Sequence, residues 1–399
     1  MADTIAIDEA FKRILEYTPL AALERVPLGH ALGRALAEDI RADRDWPPFN
    51  RSAVDGYALR SSDTSTGAGE LDVIEEIPAG KTATKLLTAG TAIRIMTGAP
   101  VPEGADAVIM QERTETVRAG RIKFLMKMSP GQNLSKRGED ATAGSVVILA
   151  GTAITPAEIG VLAAVGCVKV PVRTAPRIAV FGTGDEIVEP HETPGPAQIR
   201  NSNSQQLLAQ CAALGWNAEY LGVARDNAVQ TRELVERALT YDVVISTGGV
   251  SVGEHDHVGH VLRDLGVKII FDKVAIKPGK PTTFGVRDKT LVFGLPGNPV
   301  AAFVCFRLFV TTALRMRAGV RAPLPKLTLL PLRTDVKSGG DRTTFRPARL
   351  VSSESGTQVE ALEWHGSGHL AALVGAEGLC VQPPNVPLKA GRAVAYHAF

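Results

Sequence analysis

The strongest constraint on the fold lies between residues 177 and 320, where short apolar runs alternate with segments of helical periodicity. This alternation is typical of βαβ units, in which helices connect the strands of a parallel sheet. It predicts a doubly wound α/β domain whose first helix has Asn203 as its N-cap. Strands are predicted at 178–181, 218–223, 243–246, 268–271 and 291–293, and helices at 204–214, 229–239, 258–265 and 300–316.

The remainder of the chain predicts further regions. Apolar spacing predicts helices at 5–15, 28–42 and 155–165, whereas 52–151 reads as short alternating strands rich in glycine and proline. From 321 onward the runs have strand length and no long helix is indicated. We therefore predict an α/β multidomain protein with a helical domain of 1–48 and 150–174, an inserted β-rich lobe of 49–149, the α/β domain of 175–320, and a small barrel-like β domain of 321–399.

Composition excludes several classes of function. The 399 residues carry 44 basic and 42 acidic side chains, a net charge of +2, which is too small to support nonspecific binding to nucleic acid or anionic membrane. The longest apolar run, 159–168, is too short to span a bilayer. The N-terminus has neither the basic start nor the apolar centre of a secretory signal, so we expect a cytoplasmic protein. Four scattered cysteines exclude a zinc ribbon and a disulfide framework.

Three glycine-rich loops follow strands that should end at one edge of the sheet, at 182–186, 247–253 and 295–299. Glycines let backbone N–H groups approach a phosphate closely, and a following helix adds its positive end. One such loop alone is more often a tight turn, but three at one edge favour a phosphate site. Because Ile187 replaces the third glycine of GxGxxG and no GxxxxGK[ST] occurs, neither a typical dinucleotide site nor a Walker site is expected.

The second loop leaves two other interpretations open. Residues 249–253 match GxSxG, in which Ser251 could be the nucleophile of a serine hydrolase. Two residues separate the predicted strand from the motif, which disfavours a nucleophile elbow. A neighbouring cluster could bind zinc and consists of His255, Asp256, His257 and His260. Its spacing fits no common zinc pattern, so helix capping and solvation are the favoured interpretation.

Charged residues near the same edge offer ligands for an anion and for a metal ion. Lys273, Lys277 and Lys280 lie in a stretch stiffened by prolines, where they could clamp an oxyanion; solvated surface charge is an equally weighted alternative. Asp226 and Asp256 follow the second and third strands. They could bind a divalent cation, because Mg²⁺ takes few protein carboxylates and shares the phosphates of its substrate.

Taken together, these stretches resemble the MoeA-type molybdopterin molybdenumtransferases, a family that includes the E domain of gephyrin and of its plant counterpart. The resemblance runs from about residue 26 to the C-terminus. It is carried by 50–59, 94–102, 137–140, 182–186, 247–256, 275–281, 294–300 and 366–369. It implies a homodimer of four-domain protomers, with each site between the α/β domain of one protomer and the β-rich lobe of the other. It also implies the reaction, in which molybdate and adenylylated molybdopterin give molybdenum cofactor and AMP with the help of Mg²⁺.

The same resemblance implies roles for individual residues. Catalytic roles fall to Asp55, Thr97, Asp140, Glu186, Asp226 and Asp256, of which Asp226 and Asp256 bind the metal and the first three come from the second protomer. Substrates are bound by Gly248, Gly249, Ser251, Lys273, Lys277, Lys280, Pro296, Asn298, Pro299, Arg346 and Ser367. The chain departs from the family at Ala301, where relatives often carry serine, and in the histidines around Asp256.

Two other functions compete with this interpretation. One is a noncatalytic molybdopterin-binding scaffold or carrier, since the gephyrin E domain also organises receptors. The other is a MogA-type adenylyltransferase, which the α/β domain alone resembles; the β-rich lobe and the C-terminal domain argue against it. Such an adenylyltransferase and the proteins that mature molybdoenzymes are instead expected as partners, together with the small pterin substrate.

Overall fold

The computed structural model describes residues 4–78, 80–225, 227–248, 257–354 and 356–399, which form two compact units. The larger unit comprises Met1–Glu38, Ala150–Thr155 and Lys169–Phe399, and the smaller unit comprises Asp39–Leu149 and Pro156–Val168. Each unit contains its own six-stranded sheet and its own buried clusters of apolar side chains. The finer division into four domains stays a prediction.

A mixed six-stranded sheet forms the centre of the larger unit. Its strands, in spatial order, are Ala218–Ala224, Ile178–Thr183, Val243–Thr247, Thr290–Leu295, Thr283–Arg287 and Lys268–Phe271. The first four run parallel, as the sequence predicts, whereas Thr283–Arg287 is antiparallel to both neighbours. The predicted α/β sheet is therefore confirmed, with the antiparallel strand Thr283–Arg287 added to its parallel strands. Asp288 and Lys289 form a two-residue turn, which can join only antiparallel strands.

Helices cover this sheet and belong to its core. They are Ser202–Ala213, Ala228–Ala238, His257–Asp264, and the apolar run Pro299–Cys305, Phe306–Val310 and Thr311–Arg317, whose middle segment is a π-helix. The first begins two residues earlier than predicted, because Asn201 rather than Asn203 caps it by accepting a hydrogen bond from Ser204 N at 3.1 Å. Within the described residues, Pro299–Arg317 is the one helix long and apolar enough to cross a bilayer, and 67% of it is buried. Burial of this kind is typical of a core helix.

The N-terminal segment is only partly helical. The predicted first helix is confirmed as Ile7–Tyr17, but the predicted helix over 28–42 is wrong. In its place are the 3₁₀ turn Leu28–His30 and the short strand Ile40–Arg41, and the strand Leu23–Pro27 precedes them. Gly33 has φ +77°, a conformation that ends a right-handed helix. Leu23–Pro27 pairs instead with Lys169–Arg173, which brings the chain back beside its start after residue 168.

The C-terminal part of the larger unit contains a second six-stranded sheet, as expected for a β domain. Its strands are Ile276–Lys277, Thr343–Ser353, Gly378–Gln382, Ala393–Ala398 and Thr328–Pro331, with Gly356–Ala361 paired to Thr343–Ser353. Its first strand comes from the lysine-rich stretch and pairs in parallel with Thr343–Ser353. This pairing fixes the lysine-rich stretch against the C-terminal sheet.

The smaller unit is rich in β-structure, as the sequence predicts. Its main sheet has the order Ala107–Met110, Gly56–Leu59, Thr91–Ile95, Gly69–Ile77, Arg121–Phe124 and Thr114–Arg118. Two small ladders accompany it, Arg51–Ser52 with Leu134–Ser135 and Ile40–Arg41 with Val146–Ile148. The predicted helix after the lobe is confirmed as Pro156–Ala164, followed by Gly166 at φ +70°. Apolar residues such as Leu59 and Phe124 form the core of the smaller unit.

Candidate functional site

The three glycine-rich loops meet at one edge of the central sheet, as the sequence predicts for the part of them that the structure describes. They surround a cavity of 630 Å³, called here the large cavity. Gly248 N donates to Leu295 O at 3.1 Å, which ties the second loop to the third. The lining includes Gly182, Thr183, Glu186, Arg200, Asn201, Asn203, Thr247, Gly248, Gly297, Asn298, Pro299 and Gly368. Glycines and residues with polar side chains therefore outnumber residues with apolar side chains in this lining.

Gly248 makes the close approach of these loops possible. It has φ +86°, and a Cβ at this position would lie 2.7 Å from Thr183 Oγ1 and 2.8 Å from Thr183 O. Any L-residue here would therefore be strained and would push the first and second loops apart. Glycine at 248 therefore keeps the first and second loops close together at this edge of the cavity.

Asn203 links the second and third loops within the lining of the large cavity, a role that was not predicted from the sequence. Its Nδ2 donates to Thr247 Oγ1 at 2.9 Å and to Gly297 O at 2.6 Å. Its Oδ1 is buried and has no hydrogen-bond partner among the described residues. An unsatisfied acceptor in a polar cavity offers a partner for a ligand N–H group. The signal in the sequence was only a polar residue near a helix start, which capping explains equally well.

A buried hydrogen-bond chain holds one wall of the large cavity. Tyr220 Oη donates to Glu189 Oε1 at 2.6 Å and accepts from Asn201 Nδ2 at 2.8 Å. Burial and the neighbouring Glu189 carboxylate raise the pKa of Tyr220 well above its ordinary value. The phenol therefore stays protonated and keeps Asn201 in place at the start of its helix.

A second cavity of 210 Å³, called here the small cavity, collects positive charge. It is lined by Lys277, Pro278, Gly279, Lys280, Pro281, Pro296, Asn298, Ala301, Arg342, Trp364 and Ser367. Lys277 is half-buried and its Nζ donates to Gly339 O at 3.0 Å, whereas Lys280 is exposed. No carboxylate is among the described lining residues, and the ion pair of Arg342 with Asp341, at 3.6 Å, lies outside the lining, so the cavity itself keeps an excess of positive charge. Such a set of groups is suited to a small oxyanion.

Asn298 lines both cavities and therefore makes them neighbours. It precedes Pro299, the first residue of the core helix, so this helix begins where the two cavities meet. Pro296 lines the small cavity, and Pro299 lines the large one. The predicted residues of the third loop are thus brought together with the predicted lysines.

Two predicted anion ligands lie outside the lining of the small cavity, and one unpredicted residue lies in it. Arg346 donates through Nε to Gln382 Oε1 at 3.0 Å, and burial lowers its pKa. Lys273 lines neither cavity, and its carbonyl accepts from Ile5 N. Arg342 lines the small cavity and donates to Ile276 O at 3.0 Å. No motif signals Arg342, because its position depends on a long-range strand pairing.

The smaller unit places Asp55 and Thr97 in direct contact. Asp55 Oδ1 accepts from Thr97 N and from Thr97 Oγ1, each at 2.7 Å. The backbone N–H, followed by the hydroxyl, lowers the pKa of Asp55 below its ordinary value. Asp140, whose N donates to Trp46 O at 2.9 Å, lines cavities of 410 and 600 Å³ in the same unit. Asp55 is therefore a fixed, ionised carboxylate on an exposed surface.

Several predicted residues lie outside the described part of the chain. They are Asp226, Gly249, Ser251, His255 and Asp256, and with them the proposed metal ligands and the GxSxG motif. His257 opens the helix His257–Asp264, on which His260 is exposed. Within the described residues, no group of three His, Cys, Asp or Glu side chains could hold a metal ion.

Comparisons with known proteins agree along the whole chain. The family described as the MoeA N-terminal region (domains I and II) matches residues 5–166, a probable molybdopterin binding domain matches 179–316, and the MoeA C-terminal region (domain IV) matches 330–399. The molybdopterin molybdenumtransferase of Staphylococcus epidermidis is 36% identical over 98% of this chain and 94% of its own length. That of Bacillus subtilis is 40% identical over 77% of this chain and 73% of its own.

Solved structures show the same likeness. The crystal structure of a molybdopterin biosynthesis MoeA protein from Pyrococcus horikoshii has a TM-score of 0.85 and 33% identity, and the comparison covers 100% of both chains. A second structure of the protein from this organism has a TM-score of 0.80 and 32% identity over 99% of both chains. The expected multidomain α/β architecture is thereby confirmed.

Proposed function

The chain belongs to the MoeA family of molybdopterin molybdenumtransferases, and from this premise we propose that it completes the molybdenum cofactor. In the proposed reaction, molybdenum passes from molybdate to adenylylated molybdopterin while the phosphoanhydride of that substrate is cleaved. The products are molybdenum cofactor and AMP. The single observation that carries this proposal is that the large and small cavities are neighbours that share Asn298.

The large cavity suits the adenylylated pterin. Its glycines Gly182, Gly248 and Gly297 leave the wall free of side chains, so phosphate oxygens can approach the backbone closely. Thr183, Thr247 and Asn203 add polar groups, and Asn203 Oδ1 has no partner among the described residues. A pterin ring presents N–H donors at its edge, so Asn203 is a suitable acceptor for it.

The small cavity suits molybdate. A tetrahedral dianion needs several cations and hydrogen-bond donors around it, and Lys277, Lys280, Arg342 and Ser367 line this space. Because Asn298 lies between the cavities, an oxyanion here would be held next to a substrate in the large cavity. Bringing the two reactants together in this way supplies much of the rate enhancement in group transfer.

The chain's own residues account for most of the electrostatic work. Cleavage of a phosphoanhydride develops negative charge on the leaving phosphate, and the Arg200 guanidinium, which lines the large cavity, supplies positive charge to stabilise it. Lys277 is held by Gly339 O, so its charge is positioned before the anion arrives. Glu186, the last residue of the first loop, adds a carboxylate to the lining of the large cavity.

Mg²⁺ fits this site, because it takes one or two carboxylates and completes its coordination with water and substrate phosphates. Glu186 lines the large cavity, and Asp226 and Asp256, outside the described residues, stay the predicted metal ligands. When bound, the ion neutralises charge on the phosphoanhydride. Molybdate itself is a substrate.

We propose further that the working unit is a cytoplasmic homodimer. The resemblance predicts that Asp55, Thr97 and Asp140 act on substrate bound by the second protomer. Mixing an Asp55→Asn protein with an Asp256→Asn protein, two variants that we expect to be inactive alone, tests this. Random exchange of protomers should restore about a quarter of wild-type activity, because half of the dimers are mixed and each has one intact site. If each site used residues of one protomer only, the mixture would stay inactive.

The product itself provides the test of function. Purified protein is incubated with adenylylated molybdopterin, molybdate and Mg²⁺, and the mixture is added to a molybdenum-free molybdoenzyme apoprotein. At a molybdate concentration that limits the wild-type reaction, we expect the apoprotein to gain activity with wild-type protein and with Lys289→Met, an exposed lysine in the hairpin turn, and far less with Lys277→Met. A noncatalytic carrier or scaffold would bind the pterin substrate and restore no activity.

A further inference from the structure

Trp364 lies in the wall of the small cavity beside the three cations, yet neither the sequence motifs nor the family resemblance gives it a role. It lines this cavity together with Lys277, Lys280 and Arg342. Its indole Nε1 is hidden from solvent and has no hydrogen-bond partner among the described residues. A buried N–H without an acceptor costs free energy, so it calls for an explanation.

Arg346 orients the indole ring. Its guanidinium carbon lies over the ring of Trp364, 5.4 Å from the ring centroid, and its Nε is held by Gln382 Oε1 at 3.0 Å. A cation over an aromatic face fixes the ring and withdraws electron density from it. Because Arg346 does not itself line the small cavity, it acts on the cavity through Trp364.

We propose that Trp364 is a substrate-binding residue of the small cavity, whose indole N–H donates to an oxygen of the bound tetrahedral dianion. This inference rests on the proposed function. The anion is an acceptor of the kind that the N–H lacks among the described residues. Lys277, Lys280 and Arg342 supply charge, and Trp364 adds a neutral, directed donor on a ring that Arg346 holds.

Molybdate binding to the full-length chain tests this directly. Isothermal titration calorimetry with molybdate alone is run on wild type, on Trp364→Phe, which keeps an aromatic ring under Arg346, and on Trp216→Phe as matched control. Trp216 packs at the edge of the core and lines neither cavity. We expect Trp364→Phe to bind molybdate about tenfold more weakly, the usual loss for one hydrogen bond to a charged group, and Trp216→Phe to match wild type.

Fluorescence gives a readout that leaves Trp364 in place. The chain has three tryptophans, so the Trp46→Phe/Trp216→Phe protein retains Trp364 as its single emitter. Its emission should change on titration with molybdate and saturate at the concentration that calorimetry gives for wild type. This fluorescence measurement tests the role of Trp364 even if Trp364→Phe fails to fold.

Three results would overturn the assignment. Equal molybdate affinity of wild type and Trp364→Phe, or an unchanged Trp364 emission at saturating molybdate, removes Trp364 from the site and leaves the rest of the cavity in its proposed role. Failure of wild type to bind molybdate at all overturns the Trp364 assignment as well. If AMP release from adenylylated molybdopterin is then also independent of molybdate, the proposed function fails with it.

Discussion

Substituting Gly279 by alanine should damage both the fold and the molybdate site. Gly279 lines the small cavity between Lys277 and Lys280, and its φ is +115°. A Cβ here would lie closer than 3.0 Å to Cys305 Sγ and 3.1 Å from Ile276 Cδ1. Cys305 is fully buried, so the sulfur cannot move into solvent.

Two costs add in this variant. An unfavourable backbone conformation costs about 1–3 kcal/mol, and overpacking of a close-packed core costs about 1–3 kcal/mol more. We therefore expect Gly279→Ala to lower the free energy of unfolding by about 2–6 kcal/mol. Cys305→Ala removes one buried atom and should cost about 1 kcal/mol. In the double variant the overpacking is relieved but the backbone cost remains, so about 1–3 kcal/mol should be recovered.

Urea unfolding followed by far-UV circular dichroism measures these differences, and the molybdate KM is measured on the same proteins. Gly279→Ala should raise this KM, because a displaced backbone moves both lysines. Gly160→Ala is the matched control, since Gly160 lies exposed in a helix with nothing within 4 Å of its added Cβ and should gain about 0.5–1 kcal/mol. A Gly279→Ala protein as stable as wild type, or strictly additive costs in the double variant, would refute the reasoning.

Three further outcomes follow from the contacts described. The Thr97 backbone N–H and hydroxyl lower the pKa of Asp55. The contact therefore stabilises the fold above the unfolded-state pKa, and this stabilisation is lost as pH falls through the folded-state pKa. Thr97→Val should raise the pKa of Asp55 in carboxyl NMR titrations and reduce the loss of stability at acid pH. Lys277→Met should raise the molybdate KM about tenfold and Lys289→Met should leave it unchanged in steady-state assays. Iodoacetamide should label Cys167 first, since the other three thiols are buried. Mass spectrometry of the native protein should show one label, and more than one label would contradict this prediction.

Local patterns predicted five of the six strands of the central sheet, because each of these five contains a short apolar run. The helix expected over 28–42 was wrong because apolar spacing alone cannot weigh Gly33, at φ +77°, or the pairing of Leu23–Pro27 with Lys169–Arg173. The antiparallel strand Thr283–Arg287 was missed because its two-residue turn carries no strong hairpin signal. A long-range pairing decided the first case and a weak local turn signal the second.

Some residues of the candidate site could likewise be predicted from the sequence, and others could not. Gly248, Asn298 and Lys277 lie in stretches whose composition already suggests anion binding, and the structure places them around two neighbouring cavities. Arg342 and Trp364 carry no such local signal. Arg342 reaches the small cavity only because Thr343–Ser353 pairs with Ile276–Lys277 across 66 residues of sequence, as its hydrogen bond to Ile276 O shows.

Release of AMP from adenylylated molybdopterin, measured with Mg²⁺ in the presence and absence of molybdate, tests the central claim most directly. We expect wild-type protein to release AMP only when molybdate is added, Lys277→Met to need far more molybdate, and Asp256→Asn to release none. Wild-type protein that binds the adenylylated substrate and releases no AMP at any molybdate concentration would contradict the account and favour a carrier or scaffold.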